Sequence, residues 1–244
     1  MDFIYLDPAR RDEHGSRTYA IEDCTPNVFE LRDLLLVKSQ YTLVKLSPML
    51  DWRKAVADFD GAVREVHIVA TGNECKELLL VLGQQVHEEP SAPRVFCVND
   101  NQRIDYDSAA YTQGLRIGGK PLPEAKNYLY EPNASIMKAG CFDLVEERFG
   151  VTQVGPSSHL FVSATPVADF PGRGFAIEAI GGMNKKDIKR LLNGTKQANI
   201  AVRNFPLTAP QLRKKLKLAD GGPVYLFGTT MQGCDHVLLR TSKI

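Results

Sequence analysis

No apolar run in the 244 residues approaches the ~18 that a membrane-crossing helix requires. Nor does the chain open with the basic, apolar and small-residue segments of a cleaved secretory leader. It is therefore read as a cytoplasmic protein without a membrane partner. The five cysteines, Cys24, Cys75, Cys97, Cys141 and Cys234, are odd in number and never form a C-x-x-C pair. That spacing argues against a disulfide framework and against a zinc site. The five histidines, His14, His67, His87, His159 and His236, lack the i, i+4 or clustered spacing of metal ligands, so no metal is expected. Trp52 is the single tryptophan, and its place just past a strand end suits a core or capping role better than base stacking.

What is present is an ordinary soluble composition, 43% hydrophobic and 24% charged. The net charge of +1 hides an asymmetry. Residues 1–170 hold 17 Lys or Arg against 25 Asp or Glu, whereas residues 171–244 hold 13 against 4. A basic globular tail on an acidic body points to a polyanionic partner for the tail.

Periodicity predicts strands at 3–6, 41–46, 66–70 and 95–98, alternating with helices at 28–37, 52–59 and 75–82. This is the βαβ pattern of a parallel sheet covered on both faces. Residues 99–123 are polar and turn-rich. A second unit follows, with a strand at 128–130, one helix over 134–149 capped by Gly150, and a strand at 159–163. The tail is predicted as strand 175–180, helix 185–192, strand 200–205, a helix capped by Thr208 and running to Leu218, then strands 224–227 and 236–240. The two helices place Lys185, Lys186, Lys189 and Arg190, and Arg213, Lys214 and Lys215, on their outward sides. With Arg203 and Arg240 they form a candidate surface for RNA phosphates.

The opening stretch MDFIYLDPARRDEHGSR runs from a strand into Asp7-Pro8-Ala9-Arg10. A carboxylate just past the end of a parallel strand lies where open α/β sheets bind ligands. Pro8 withdraws an N–H, so the pair offers acceptors only, which suits a planar donor such as the exocyclic amine of a nucleobase. The same Asp-Pro also suits a plain turn or cap, and both readings stand at this point. Asp12, Arg17, Glu22 and Asp23 follow in a polar loop, where a carboxylate folding back would be needed for any metal-assisted hydrolysis at Asp7.

Four stretches, DFIYLDPARRDEHGSRTYAIEDCTPNV, YLYEPNASIMKAGCFDLVEERFG, SSHLFVS and the tail from IEAIGGMNKKDIKRLLNG to HVLLRTSKI, resemble in that order one family. It is a family of bacterial class I S-adenosylmethionine-dependent methyltransferases with a small ferredoxin-like insert and a C-terminal THUMP-like domain. The resemblance implies an α/β fold in three parts. Residues 1–125 would be the C-terminal half of a Rossmann-like methyltransferase sheet, 126–172 a ferredoxin-like domain and 173–244 a THUMP-like domain. It implies that Asp7, Pro8, Ala9 and Arg10 stand where amino-methylating members carry Asp/Asn-Pro-Pro-aromatic, the motif that holds the target nitrogen in line with the methyl donor. Ala9 and Arg10 depart from that pattern, and Arg10 and Arg11 suit phosphate contact instead. It also implies RNA, tRNA or rRNA, as the partner of the tail.

The resemblance leaves one element missing. Family members bind S-adenosylmethionine with a glycine-rich turn after their first strand, and this sequence has no glycine-rich strand-turn-helix. The chain is therefore expected to be the C-terminal part of a longer protein or a truncated product, and not to bind the donor by itself. In the strand order 3-2-1-4-5-7-6, loss of the first three strands leaves strand 3–6 as an open edge, which is expected to pair in a dimer or swapped arrangement, or else to leave the first residues disordered. The rival reading is a non-catalytic RNA-binding or scaffolding protein.

Overall fold

The computed structural model describes residues 1–9, 24–84, 92–110, 126–233 and 235–244. They belong to two units, Met1–Gln113 with Ala134–Gly140, and Gly114–Asn133 with Cys141–Ile244. Arg10, Arg11, Asp12, Arg17, Glu22 and Asp23 lie outside the described residues.

In the first unit, β1 (Phe3–Leu6) leads to α1 (Val28–Lys38), β2 (Tyr41–Leu46), α2 (Trp52–Asp58), β3 (Val63–Thr71), β4 (Glu74–Gly83), β5 (Arg94–Asn99) and β6 (Gln102–Asp107). The sheet order is β1-β2-β4-β3-β5-β6. β1 runs parallel to β2 and β3 parallel to β5, but β4 lies antiparallel between β2 and β3. The sheet is thus mixed, not the parallel sheet that periodicity predicts, because β4 and β6 both run antiparallel to their neighbours.

Residues 75–82 are a strand, not the helix their composition predicts. Gly72 and Asn73 both take positive φ, 58° and 63°, the left-handed pair that closes a two-residue hairpin between β3 and β4. Burial along β4 alternates in twos, with Leu78, Leu80 and Leu82 inward. Register places Val44, Leu80, Val66, Val95 and Tyr106 in one row across five strands, all buried. β6 was not expected from its polar sequence, yet it alternates in the same way, burying Ile104 and Tyr106. The short helix α3 (Ala134–Ala139) packs on β3, β4 and β5, and the Trp52 indole N–H donates to the Ala139 carbonyl at 3.3 Å.

The second unit holds β7 (Tyr128–Pro132), α4 (Phe142–Phe149), β8 (Thr152–Gln153), β9 (Phe161–Ser163), β10 (Gly172–Gly181), α5 (Lys185–Leu192), β11 (Asn199–Arg203), α6 (Ala209–Leu216), β12 (Val224–Thr230) and β13 (His236–Lys243). The single helix expected over 134–149 is two, α3 and α4, parted at Gly140 with φ 67°. The seven strands form one sheet, β11-β12-β13-β10-β7-β9-β8, antiparallel throughout except for β11 and β12.

One face of this sheet carries α5 and α6 over Leu191, Leu212, Leu216, Leu226 and Leu238. The other packs Leu129, Val162, Phe175, Phe227 and Leu239. Leu226 and Phe227, and Leu238 and Leu239, point to opposite faces because strand side chains alternate. α6 starts with the full capping box of Thr208 and Gln211. α5 starts with Asn184 accepting from the Asp187 N–H.

Candidate functional site

β1 and β2 are parallel, so their carboxyl ends open side by side. Tyr5 and Leu43 are register partners, which puts Asp7 and Lys45, two residues further on, on the same side. Lys45 Nζ donates to Asp7 Oδ2 at 3.0 Å and lies 3.6 Å from Glu77 Oε1 on β4. The hydrogen bond to Asp7 chiefly, and the Glu77 charge after it, hold the Lys45 ammonium above its usual range. Among the described residues the second Asp7 oxygen has no protein partner. Pro8 is buried while Asp7 stays half exposed, and a pocket between the strand ends is lined by Asp7, Pro8, Cys24, Lys45, Ser47 and Leu50.

The chain leaves this ledge and returns to it. Ala9 N–H donates to Thr25 O at 2.9 Å, and Thr25 N–H to Ala9 O at 3.1 Å, just before Asn27 caps α1. Asp7, Pro8 and Ala9 are therefore held against Thr25, whereas Arg10 lies outside the described residues. The ledge can accept an N–H at Asp7 while Lys45 fixes the carboxylate from its other side. It missed notice in the sequence because Lys45 and Glu77 join it only across strands. The lone charge in the apolar stretch YTLVKL was the available signal.

β1 runs into Asp7-Pro8, β2 into Ser47-Pro48 and β3 into a hairpin. Among the described residues none of the three opens a helix through a glycine-rich turn. Among the described residues no group of three or more His, Cys, Asp or Glu is placed to hold a metal ion, and no helix is long and apolar enough to cross a membrane.

The candidate RNA-contacting residues divide by chemistry. Lys185, Lys186 and Lys189 on α5 and Lys214 and Lys215 on α6 are exposed, on the two helices that cover one sheet face. The arginines also have partners within the fold. Arg190 donates to Ile180 O at 2.7 Å and to Asp187 at 3.2 Å. Arg213 donates to Ala198 O at 3.0 Å and pairs with Asp220 at 2.6 Å. Arg203 pairs with Glu131 at 2.8 Å. Arg240 donates to the Leu191 and Leu192 carbonyls, both at 2.9 Å, satisfying acceptors left open at the end of α5. The planar guanidinium fork suits such fixed carbonyl and carboxylate partners, and the flexible ammonium suits diffuse contact with phosphates.

Residues 128–171 match a family described as a ferredoxin-like domain, and residues 172–243 one described as THUMP domain-like. β7 and β10, one from each stretch, are paired neighbours in the single sheet. No curated protein matches the chain. A crystal structure of a candidate methyltransferase from Porphyromonas gingivalis W83 is similar over 99% of this chain, with 35% sequence identity and a TM-score of 0.86. The chain spans 59% of that protein. The chain thus carries a ferredoxin-like domain and a THUMP-like domain, and its fold throughout is that of the corresponding part of the Porphyromonas protein.

Proposed function

We propose that this chain is the target-binding part of an S-adenosylmethionine-dependent RNA methyltransferase, with tRNA or rRNA as substrate. The observation that carries the reading is the likeness to the Porphyromonas protein across 99% of the chain. The exposed lysines of the THUMP-like domain supply sequence-independent attraction for RNA. Asp7 receives an N–H of the target, Pro8 keeps the ledge rigid, and Lys45 fixes the carboxylate. Their contribution is positioning, which in favourable cases lowers a barrier by roughly 7–11 kcal/mol. The methyl group comes from the donor when bound, and the donor is held by polypeptide other than these 244 residues. A non-catalytic RNA-binding role is favoured by one observation, the absence of a glycine-rich turn among the described strand ends.

A transfer assay separates the two. Total RNA is incubated with labelled donor and the chain completed by the part of the Porphyromonas protein that it does not span. Label is expected in RNA, and Asp7→Ala is expected to lower its incorporation by about 100-fold, the scale of a misplaced reactant. The 244 residues without that complement are expected to transfer nothing. Label in RNA that is indifferent to Asp7→Ala would remove the ledge from the mechanism. Absence of label from the completed protein would favour the binding-only role.

A further inference from the structure

Two of the stretches that carry the family resemblance, Tyr130-Glu131-Pro132-Asn133 and Ser157-Ser158-His159, contribute to one cluster in the second unit. Glu131 is buried, its side chain only 4% exposed, and it bridges two guanidinium groups. Its Oε1 accepts from Arg203 Nη2 at 2.8 Å, and its Oε2 accepts from Arg173 Nε at 3.0 Å and from Arg173 Nη2. Arg173 faces Glu131 as its register partner on β10, while Arg203 ends β11. Both carboxylate oxygens are thereby used, and two cations share one anion. The surplus positive charge reaches solvent, because Arg173 is 45% and Arg203 39% exposed.

Two buried polar atoms in this neighbourhood have no hydrogen-bond partner, Arg203 Nε and Thr229 Oγ1. Arg203 and Thr229 are register partners on β11 and β12, so they lie on the same face of the sheet, and Thr229 is fully buried. His159 sits near enough for Arg203 to act on its charge, and its ring stacks on Phe142 at 4.5 Å. The loop before it is fixed against β11. Asn204 Nδ2 donates to Pro156 O at 2.8 Å, and Gly155 meets the Thr230 carbonyl so closely that a Cβ would overlap it.

Glu131 balances only one of the two guanidinium charges it holds. Here a second guanidinium leaves preset N–H donors, an unpaired hydroxyl and an imidazole beside an unbalanced charge. A planar carboxylate ligand has two oxygens to offer this set, whereas a tetrahedral phosphoryl group has three or more, and guanidinium forks match it in geometry. We propose that Arg173 and Arg203, held by Glu131, bind a phosphoryl group together with the Thr229 hydroxyl and His159. The source is either free phosphate or a nucleic-acid phosphate. The site does not require that the chain bind RNA.

The full chain is titrated with inorganic phosphate against chloride at constant ionic strength, with arginine Nε and backbone amide resonances followed by NMR. Saturable shifts are expected at Arg173, Arg203, Thr229 and His159, together with a melting temperature that phosphate raises and chloride does not. Arg173→Met is expected to weaken phosphate by about tenfold, the scale of a lost charge-assisted hydrogen bond, and to melt at a lower temperature in chloride because Glu131 Oε2 loses both donors. Should Arg173→Met not fold, Arg173→Lys keeps the charge, loses the fork and is expected to weaken binding too. Absence of saturable shifts in the parent chain, shifts confined to the lysines of α5 and α6, or binding unchanged in Arg173→Lys would each overturn the site. Short RNAs with 5′-phosphate and 5′-hydroxyl ends identify the source. Preference for the phosphorylated end supports a terminal group, and equal binding weakened by Arg173→Lys supports the backbone. Saturable phosphate binding without any RNA binding leaves this site standing and removes the RNA reading.

Discussion

His159 combines partial burial with a cationic neighbour. Desolvation first, and the charge of Arg203 second, push its pKa below the ordinary 6.5, so the unfolded chain takes up a proton that the folded chain resists. Folding stability is then independent of this group above about pH 6.5 and falls as the pH drops below it, until the folded state also protonates. Urea midpoints measured from pH 7.5 to 5 are expected to decline in the parent and to stay flatter in His159→Gln. Equal slopes would contradict the assignment. Glu178 and Asp187 do not blur this window, because hydrogen bonds from Arg240 and from the Gly182 N–H respectively hold their pKa values below 4.5 and 3.8. Their contribution is present above those values and is lost only at lower pH. At the opening motif, Lys45 changes what Asp7 can do. With one oxygen engaged by the ammonium at 3.0 Å, Asp7 is an oriented acceptor, not a bare strand-end carboxylate.

Among elements, β1 is the exposed one. It pairs with β2 alone among the described residues, and its outward side chains Phe3 and Tyr5 are 56% and 54% exposed. A strand edge with unpaired N–H and C=O groups and apolar flanks is a template for another strand. This chain by itself is expected to self-associate through β1, and Tyr5→Lys, which places a charge on that edge, is expected to return it to monomer. Sedimentation velocity over a range of concentrations checks this, and a parent chain that stays monomeric throughout would contradict it.

How much of the fold the sequence disclosed differs element by element. β1, β2, β3 and β5 were legible because each is a short, nearly unbroken apolar run between turn residues. β4 was not, since Glu74 to Gly83 mixes good helix formers with leucines, and only its insertion between β2 and β3 makes the strand preferable. Reading the Gly72-Asn73 turn as a hairpin closure would have found it. The contacts of Lys45 with Asp7 on β1 and with Glu77 on β4 stayed hidden for a related reason, because they exist only once the strands are paired. The partners that the arginines meet within the fold had no sequence signal at all. Arg240, for example, is distinguished from a free cation only by the two α5 carbonyls that it meets in the fold.

At the scale of the molecule, charge is the property that joins structure to the proposed role. An acidic first portion and a basic last portion nearly cancel to +1, and within the basic portion Arg190, Arg203, Arg213 and Arg240 have partners in the fold while the lysines of α5 and α6 stand outward. RNA affinity should therefore be carried by Lys185, Lys186, Lys189, Lys214 and Lys215 as a diffuse field, strong at low salt and indifferent to sequence. The direct measurement is binding of tRNA and of an rRNA fragment to this chain across a range of salt, by the parent and by a Lys185→Glu, Lys214→Glu, Lys215→Glu variant. The logarithm of the binding constant is expected to fall linearly with the logarithm of salt, by about 0.7 for each single-strand phosphate engaged. The variant is expected to bind more weakly and with a shallower slope. An affinity and slope unchanged by the three reversals would contradict the account.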